Sequence, residues 1–201
     1  MTLPAKFVER VLYDLGEAEG RALCAALDGV PPVSVRVNPV KAAPGALPAL
    51  EIAGQVPWCR DGRYLAVRPS FTLDPDFHAG AYYVQEASSQ FVGHLLEGVR
   101  TEGVRILDLC AAPGGKTTLY ASLAGPGGLV VANEIDRRRA AVLADNVRKW
   151  GTGNVAVTTC EPRMLGDFEA WFDIVAVDAP APARGCSAKT ARPAANGVRG
   201  V

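Results

Sequence analysis

The spacing of apolar residues changes along this chain, and each change predicts an element. Val104 to Leu109 is a nearly unbroken apolar run closed by Asp108 and Cys110, as in a strand buried on both faces. Pro113-Gly114-Gly115 then makes a tight turn, and Lys116 to Leu123 reads as a helix. Leu129 to Ala132 is a second apolar strand, with Asn133-Glu134 at its carboxyl end. Arg137 to Trp150 has helical spacing: Ala141, Leu143, Val147 and Trp150 are apolar, while Arg138, Arg139, Asp145, Arg148 and Lys149 are polar. Gly151 suits its C-cap. Val155 to Thr159 and Phe172 to Val177 read as a third and a fourth strand, the latter ended by Asp178. Strands alternating with helices predict a parallel sheet, and right-handed crossovers predict the spatial order three, two, one, four.

Ahead of this unit the pattern is mixed. Phe7, Val8, Val11, Leu12 and Leu15 form one helical face, and Leu23, Ala26 and Leu27 a second, broken at Asp28-Gly29-Val30-Pro31-Pro32. Val33, Val35 and Val37 alternate with Ser34, Arg36 and Asn38, which predicts a half-buried strand. Ala42 to Ala49 reads as a loop, and Val56 to Leu65 as a hairpin around Asp61-Gly62. Ser88 to Leu96 reads as a helix, with Gln85-Glu86 before it near the expected ligand pocket.

Composition adds limits. The chain has 201 residues, 49% hydrophobic and 21% charged, with a net charge of +0. It contains no apolar run of membrane-spanning length and no charged-then-apolar leader pattern, so a soluble cytoplasmic protein is expected. Five scattered cysteines without a C-x-x-C pair suit a reducing compartment and argue against a zinc site. His78 and His94 have no base or metal partner at a useful spacing and read as packing or surface residues. Charge neutrality leaves room only for a local basic patch as a nucleic-acid contact.

The chemistry sits at the carboxyl edge of the expected sheet, where open α/β sheets bind ligands. The glycine turn lets a ligand touch the backbone, and the free N–H groups of the following helix face it. Glu134 lies about 20 positions beyond the turn, where an acid can accept hydrogen bonds from ribose hydroxyls. An ordinary βα turn would need no such partner. Asp108, Glu134, Glu161 and Asp178 put one acid near each strand end. Gly115-Lys116-Thr117 also matches the end of a Walker A loop, with Ile174 to Asp178 as its Walker B strand. That reading needs glycine where Cys110 stands and leaves Glu134 without a role. A nicotinamide enzyme needs G-x-G-x-x-G, which this turn lacks.

These residues resemble a known family. L-D-L-C-A-A-P-G-G-K-T-T is similar to the first motif of the Nop/Sun-type RNA cytosine-5 methyltransferases, which use S-adenosyl-L-methionine. L-P-A-K-F-V-E-R, V-R-V-N-P, V-P-W-C and H-A-G-A-Y-Y-V-Q-E-A-S-S resemble the N-terminal part of its bacterial ribosomal-RNA branch, and N-E-I-D-R-R-R and D-I-V-A-V-D-A-P fit downstream. The resemblance implies a Rossmann-like sheet, represented by its first four strands and preceded by a small α+β domain. It implies an accessory domain at 1–75, methyltransferase residues at 76–180 and an aberrant tail at 181–201. It implies that Cys110, Ala111, Ala112, Pro113, Gly114, Gly115 and Lys116 wrap the methionine and ribose end of the cofactor. Glu134 would hold the ribose, Glu161 would lie beside the adenine, and Asp178 would border the cofactor and face the target cytosine as the catalytic, substrate-facing acid. The expected partner is RNA, ribosomal first and transfer RNA second; metal, membrane and a second subunit are not expected.

In this family a cysteine thiolate adds to carbon 6 of cytosine, and carbon 5 then attacks the methyl group. One family cysteine follows the Asp-Ala-Pro motif and the nucleophile sits further downstream. Here Ala181 follows Pro180, so the resemblance implies a chain without its catalytic cysteines and inactive as written. Thr159-Cys160 comes too early to be the nucleophile, and Cys186-Ser187 lacks a preceding Asp-Ala-Pro. Joining the last base of each codon to the first two of the next lets the junctions from Pro180/Ala181 to Lys189/Thr190 encode C-S-G-E-G-(M/L)-F-R-K-D, the missing family motif. A frameshift after Pro180 is therefore the expected origin of the tail, with true divergence as the alternative. A non-catalytic RNA- or cofactor-binding remnant is the competing function.

Overall fold

A computed structural model describes residues 3–42, 47 and 49–179. The tail beyond Pro180, with Cys186 and the expected frameshifted motif, lies outside the described residues, as does most of the loop expected at Ala42 to Ala49. The described chain divides between Pro31 and Pro32 into two units.

The first unit is a helical hairpin of α1 (Ala5–Leu15) and α2 (Glu17–Asp28). Gly20 lets the two helices meet closely, since a Cβ there would stand 2.9 Å from Leu12 Cδ2 and 3.0 Å from Leu12 Cα. Val11 is buried, whereas Phe7, Leu15, Leu23 and Leu27 of the expected apolar faces remain exposed.

The second unit contains two sheets. The first is antiparallel and comprises β1 (Val33–Val37), β2 (Ile52–Gln55), β3 (Gly62–Leu65) and β4 (Tyr82–Val84) in the order β2-β3-β1-β4. Val35, Val37, Leu47, Phe71 and Tyr82 form its core. The hairpin begins earlier than expected. Its first strand is β2, while Val56 to Asp61 is a connector closed by bonds from Cys59 N to Val56 O and from Gly62 N to Cys59 O. Pro57 has no N–H to give to a ladder, which explains why the apolar Val56-Pro57-Trp58 is not strand. The half-buried reading of β1 also needs correction. Its polar face is buried too, with Ser34, Arg36 and Asn38 each less than 5% exposed.

Helices α3 (Pro75–Ala79) and α4 (Ala87–Leu95) lead to the second sheet. It comprises β5 (Arg105–Asp108), β6 (Leu129–Asn133), β7 (Val155–Thr158) and β8 (Ile174–Ala176), all parallel, in the order β7-β6-β5-β8. This is the expected three-two-one-four order. Helix α5 (Gly115–Ala124) follows the glycine turn, and α6 (Arg137–Trp150) matches its expected bounds, with Gly151 as cap. Asp136 starts α6 by accepting bonds from the N–H groups of Arg138 and Arg139. Ile106, Tyr120, Ala121 and Val130 pack between sheet and helix, and Ala111, Ala132 and Leu143 form a second cluster. Strand β8 is shorter than expected and stands at the edge of the described sheet, with Val175 and Val177 more than half exposed. No described helix is long and apolar enough to cross a membrane.

Candidate functional site

The carboxyl ends of β5, β6 and β8 meet around the turn Leu109–Gly115. Strand β5 delivers Asp108, which is 2% exposed and accepts a 2.7 Å hydrogen bond from Thr117 Oγ1. Burial is the largest influence on Asp108 and pushes its carboxyl up to about 6; Asp178 adds to this, while the Thr117 bond and Lys116 oppose it.

The turn needs its glycines. Gly114 sits at φ +109°, a left-handed backbone that L side chains rarely adopt. A Cβ on Gly115 would stand 3.3 Å from Tyr83 Cε1 and 3.4 Å from Gln85 Nε2. The carbonyls from Ala112 to Gly115 are held by side chains. Ala112 O accepts from Arg139 Nη2 at 3.0 Å, and Pro113 O from Asn146 Nδ2 at 2.9 Å and Tyr83 Oη at 3.2 Å. Gly114 O accepts from Thr118 Oγ1 at 2.9 Å, and Gly115 O from Arg36 Nη2 at 3.2 Å. With the carbonyls fixed in this way, the start of α5 presents helix-terminal N–H groups to the edge of the sheet, a setting that favours an anion.

Glu134 stands at the end of β6 with its side chain 3% exposed. Its Oε1 accepts from Asp136 N at 3.0 Å. Its Oε2 lies 3.2 Å from Arg139 Nη1, an ion pair not aligned for hydrogen bonding, and has no hydrogen-bond partner. A buried carboxylate oxygen left in this state is a site for an incoming donor.

Of the other expected residues, Cys110 and Ala112 are half-buried and Ala111 and Gly114 are buried along the turn, while Pro113 is exposed. Burial, with the nearby charges of Glu134 and Asp108, pushes the Cys110 thiol up. Lys116 forms an ion pair with Asp178, joining the start of α5 to the chain just after β8. A cavity of about 510 Å³ opens beside them, lined by Ser88, Phe91, Lys116, Tyr120, Val177 and Asp178 among others. Glu161 is exposed and pairs with Arg163 at 2.5 Å. Cys160 donates its thiol to Asn133 Oδ1 at 3.3 Å. The structure thus brings Cys110 to Lys116, Glu134 and Asp178 to one edge and leaves Glu161 turned to its own neighbour.

Residues missed in the sequence hold these in place: Arg36, Tyr83, Thr117, Asn133, Arg139 and Asn146. Tyr83, Thr117, Asn133 and Arg139 fall within the quoted motifs, which carried the only legible signal for them, and Asn146 lies outside them. Arg36 lay in V-R-V-N-P, where alternation suggested a solvent face.

A parallel sheet in this order, with a glycine turn entering α5 and a buried acid after the next strand, defines a Rossmann-like nucleotide-type domain of the methyltransferase kind. Residues 3–87 match the model of the N-terminal domain of 16S rRNA methyltransferase RsmF, and residues 95–195 match that of 16S rRNA methyltransferase RsmB/F. The chain belongs to the RsmB/F family of 16S rRNA methyltransferases. It is 35% identical over 162 residues to the ribosomal RNA small subunit methyltransferase F of Shewanella woodyi, covering 76% of this chain but 34% of that relative. The crystal structure of PH0851 superposes with a TM-score of 0.77 at 28% identity, covering 88% of this chain and 41% of that one. A methyltransferase homologue from Pyrococcus horikoshii gives 0.69 at 26% identity, covering 86% and 62%.

Proposed function

We propose that the described residues form the S-adenosylmethionine-binding part of a cytoplasmic RNA cytosine-5 methyltransferase acting on 16S ribosomal RNA. The observation that carries this reading is Glu134 Oε2, which accepts no hydrogen bond although it is ion-paired to Arg139, buried beside a glycine turn at the carboxyl edge of a parallel sheet. The residues present fit the cofactor: a carboxylate oxygen awaits ribose donors, and a helix N-terminus faces the place of an amino-acid carboxylate.

When bound, S-adenosylmethionine supplies an electrophilic methyl group on a sulfonium. The protein's own residues bind and orient it. Glu134 accepts the ribose hydroxyls while Arg139 holds Ala112 O and the Glu134 carboxylate together. The turn Cys110 to Lys116 would surround the methionine end, and Glu161, now paired with Arg163, would lie beside the adenine. The cavity beside Lys116 and Asp178 takes the cytosine, with Asp178 as the acid facing the base. Burial and the charges of Glu134 and Asp108 raise the pKa of the Cys110 thiol, which disfavours the thiolate that attack on carbon 6 requires. The accessory part is residues 1–75 and the methyltransferase part residues 76–180.

The test is titration calorimetry with S-adenosylmethionine and with Mg-ATP, followed by methyl transfer from labelled cofactor to unmodified 16S rRNA and to transfer RNA. Binding of S-adenosylmethionine that ATP does not displace is the expected result. Tight ATP binding without S-adenosylmethionine binding would replace this reading with a P-loop protein.

A further inference from the structure

The V-R-V-N-P-V-K stretch, Val35 to Lys41, has no role in the reaction outlined above, yet its polar side chains all reach the elements that carry the cofactor turn. Arg36 on β1 is 1% exposed. Its guanidinium lies 4.3 Å from the centre of the Trp150 ring at the end of α6. Its Nε donates to Gln85 Oε1 at 2.9 Å, and its Nη2 donates to Gly115 O at 3.2 Å and to Thr118 Oγ1 at 2.5 Å. Asn38 Nδ2 donates to Trp150 O at 2.9 Å and to Gly80 O at 3.0 Å. Lys41 Nζ donates to Lys149 O at 2.7 Å and to Ala79 O at 2.9 Å. The same stretch therefore grips the first turn of α5 and the last carbonyls of α6, the two helices that flank the site.

Burying Arg36 carries a cost. Its hydrogen-bond partners are all neutral and the positive end of α5 disfavours a cation, while the Trp150 ring at the negative end of α6 and the charge of Asp61 offset only part of the burial. A buried guanidinium with no touching carboxylate adds little net stability compared with an apolar side chain of similar volume. What it does supply is geometry: one planar donor fork fixes Gln85, Gly115 and Thr118 at once. Gln85 is itself 6% exposed, and its Nε2, left without a partner, stands beside Gly115. The Gly115 carbonyl that Arg36 holds belongs to the first residue of α5, whose free N–H groups lie at the turn.

We infer that Arg36 is a positioning residue for the cofactor turn, so that the N-terminal sheet is a working part of the cofactor site. This rests on the S-adenosylmethionine reading given above. A turn already held in its binding conformation loses less freedom when the ligand arrives.

The experiment compares the parent chain with Arg36→Gln and with Arg36→Lys, which keeps charge and length but cannot make the three-point fork. Two quantities are read: affinity and stoichiometry for S-adenosylmethionine by calorimetry, and amide hydrogen exchange across residues 112–118 without cofactor. The expected result is faster exchange in that segment and affinity weaker by about tenfold in Arg36→Gln and about threefold or more in Arg36→Lys, at unchanged stoichiometry. Arg36→Lys keeps the test open should Arg36→Gln not fold. If the parent binds and Arg36→Lys binds within about twofold of it, whatever the change in melting temperature, Arg36 is structural and the inference fails. If the parent does not bind S-adenosylmethionine, the proposed function fails and takes the inference with it.

Discussion

The Lys116 ammonium and the Asp178 carboxylate, 62 residues apart in sequence, form an ion pair that closes one side of the cofactor turn. Asp178 is 65% exposed and Lys116 28% exposed at the side chain, so water screens the pair. Lys116→Met and Asp178→Asn are each expected to change the unfolding free energy by less than about 1 kcal/mol, measured by urea denaturation. Under the proposed function, such a weak pair would open when a base enters the adjoining cavity. A loss above about 2 kcal/mol from either change would show that the pair holds the fold rather than waiting for a ligand.

How much of this was legible follows from residue type and element length. Glu134 could be placed because a long apolar strand, a glycine turn and a helix leave little freedom in where the next strand ends. Arg137 to Trp150 matched because nearly four turns of helix repeat the period enough times to fix both ends. Tyr82 to Val84 was missed because three residues carry no period, and its strand exists only through pairing with Val35 to Val37. Arg36 was misread because alternation tells which positions differ, not whether the polar face meets water. A second layer, α4 and α5, covers that face, and nothing local to β1 encodes it. Glu161 was named from its place at a strand end, but a side chain flanked by Arg163 can satisfy itself locally.

Asp108 predicts a pH dependence. Burial raises its folded pKa to about 6 from an ordinary value of 3.8, with the charge of Asp178 adding to the rise and the Thr117 hydroxyl and Lys116 opposing it. A raised carboxyl pKa means that the folded state binds the proton more tightly than the unfolded chain. Its stabilising contribution is therefore complete below about pH 4 and is lost as pH rises toward 6. Asparagine cannot titrate. The stability of Asp108→Asn relative to the parent is expected to rise by roughly 2–3 kcal/mol between pH 4 and pH 7, measured by chemical denaturation at each pH. A constant difference over that range would show Asp108 to be charged throughout.

Glu134→Ala is expected to weaken S-adenosylmethionine binding by about 1–3 kcal/mol, roughly 5- to 150-fold, because ribose hydroxyls buried against the turn would lose their acceptor. Arg139→Ala removes the ion pair and the bond to Ala112 O but leaves Oε2 available, so it should cost less than Glu134→Ala. Calorimetry of both variants gives the order. Equal affinities for parent and Glu134→Ala would remove the ribose role.

Asn133 ties three strand ends together. Its side chain is fully buried at the end of β6. Nδ2 donates to Cys160 O at 3.1 Å and Leu109 O at 3.4 Å, and Oδ1 accepts from Thr158 Oγ1 at 3.0 Å and Cys160 N at 3.1 Å. Its backbone carbonyl accepts from Ala111 N at 2.9 Å. Asn133→Ala would leave several of these groups buried without partners, at an expected cost of about 2–4 kcal/mol. Asn154 offers the control. It is also buried, but its Nδ2 serves Ala121 O and Gly125 O, at the opposite end of the sheet from the turn. Both substitutions should lower stability in urea. Only Asn133→Ala should also weaken cofactor binding, because it frees Leu109–Ala111 on one side of the site and Cys160–Glu161 on the other. Equal affinity in the two variants, read on the folded fraction, would show that the ends of β5 and β7 are held by their ladders alone.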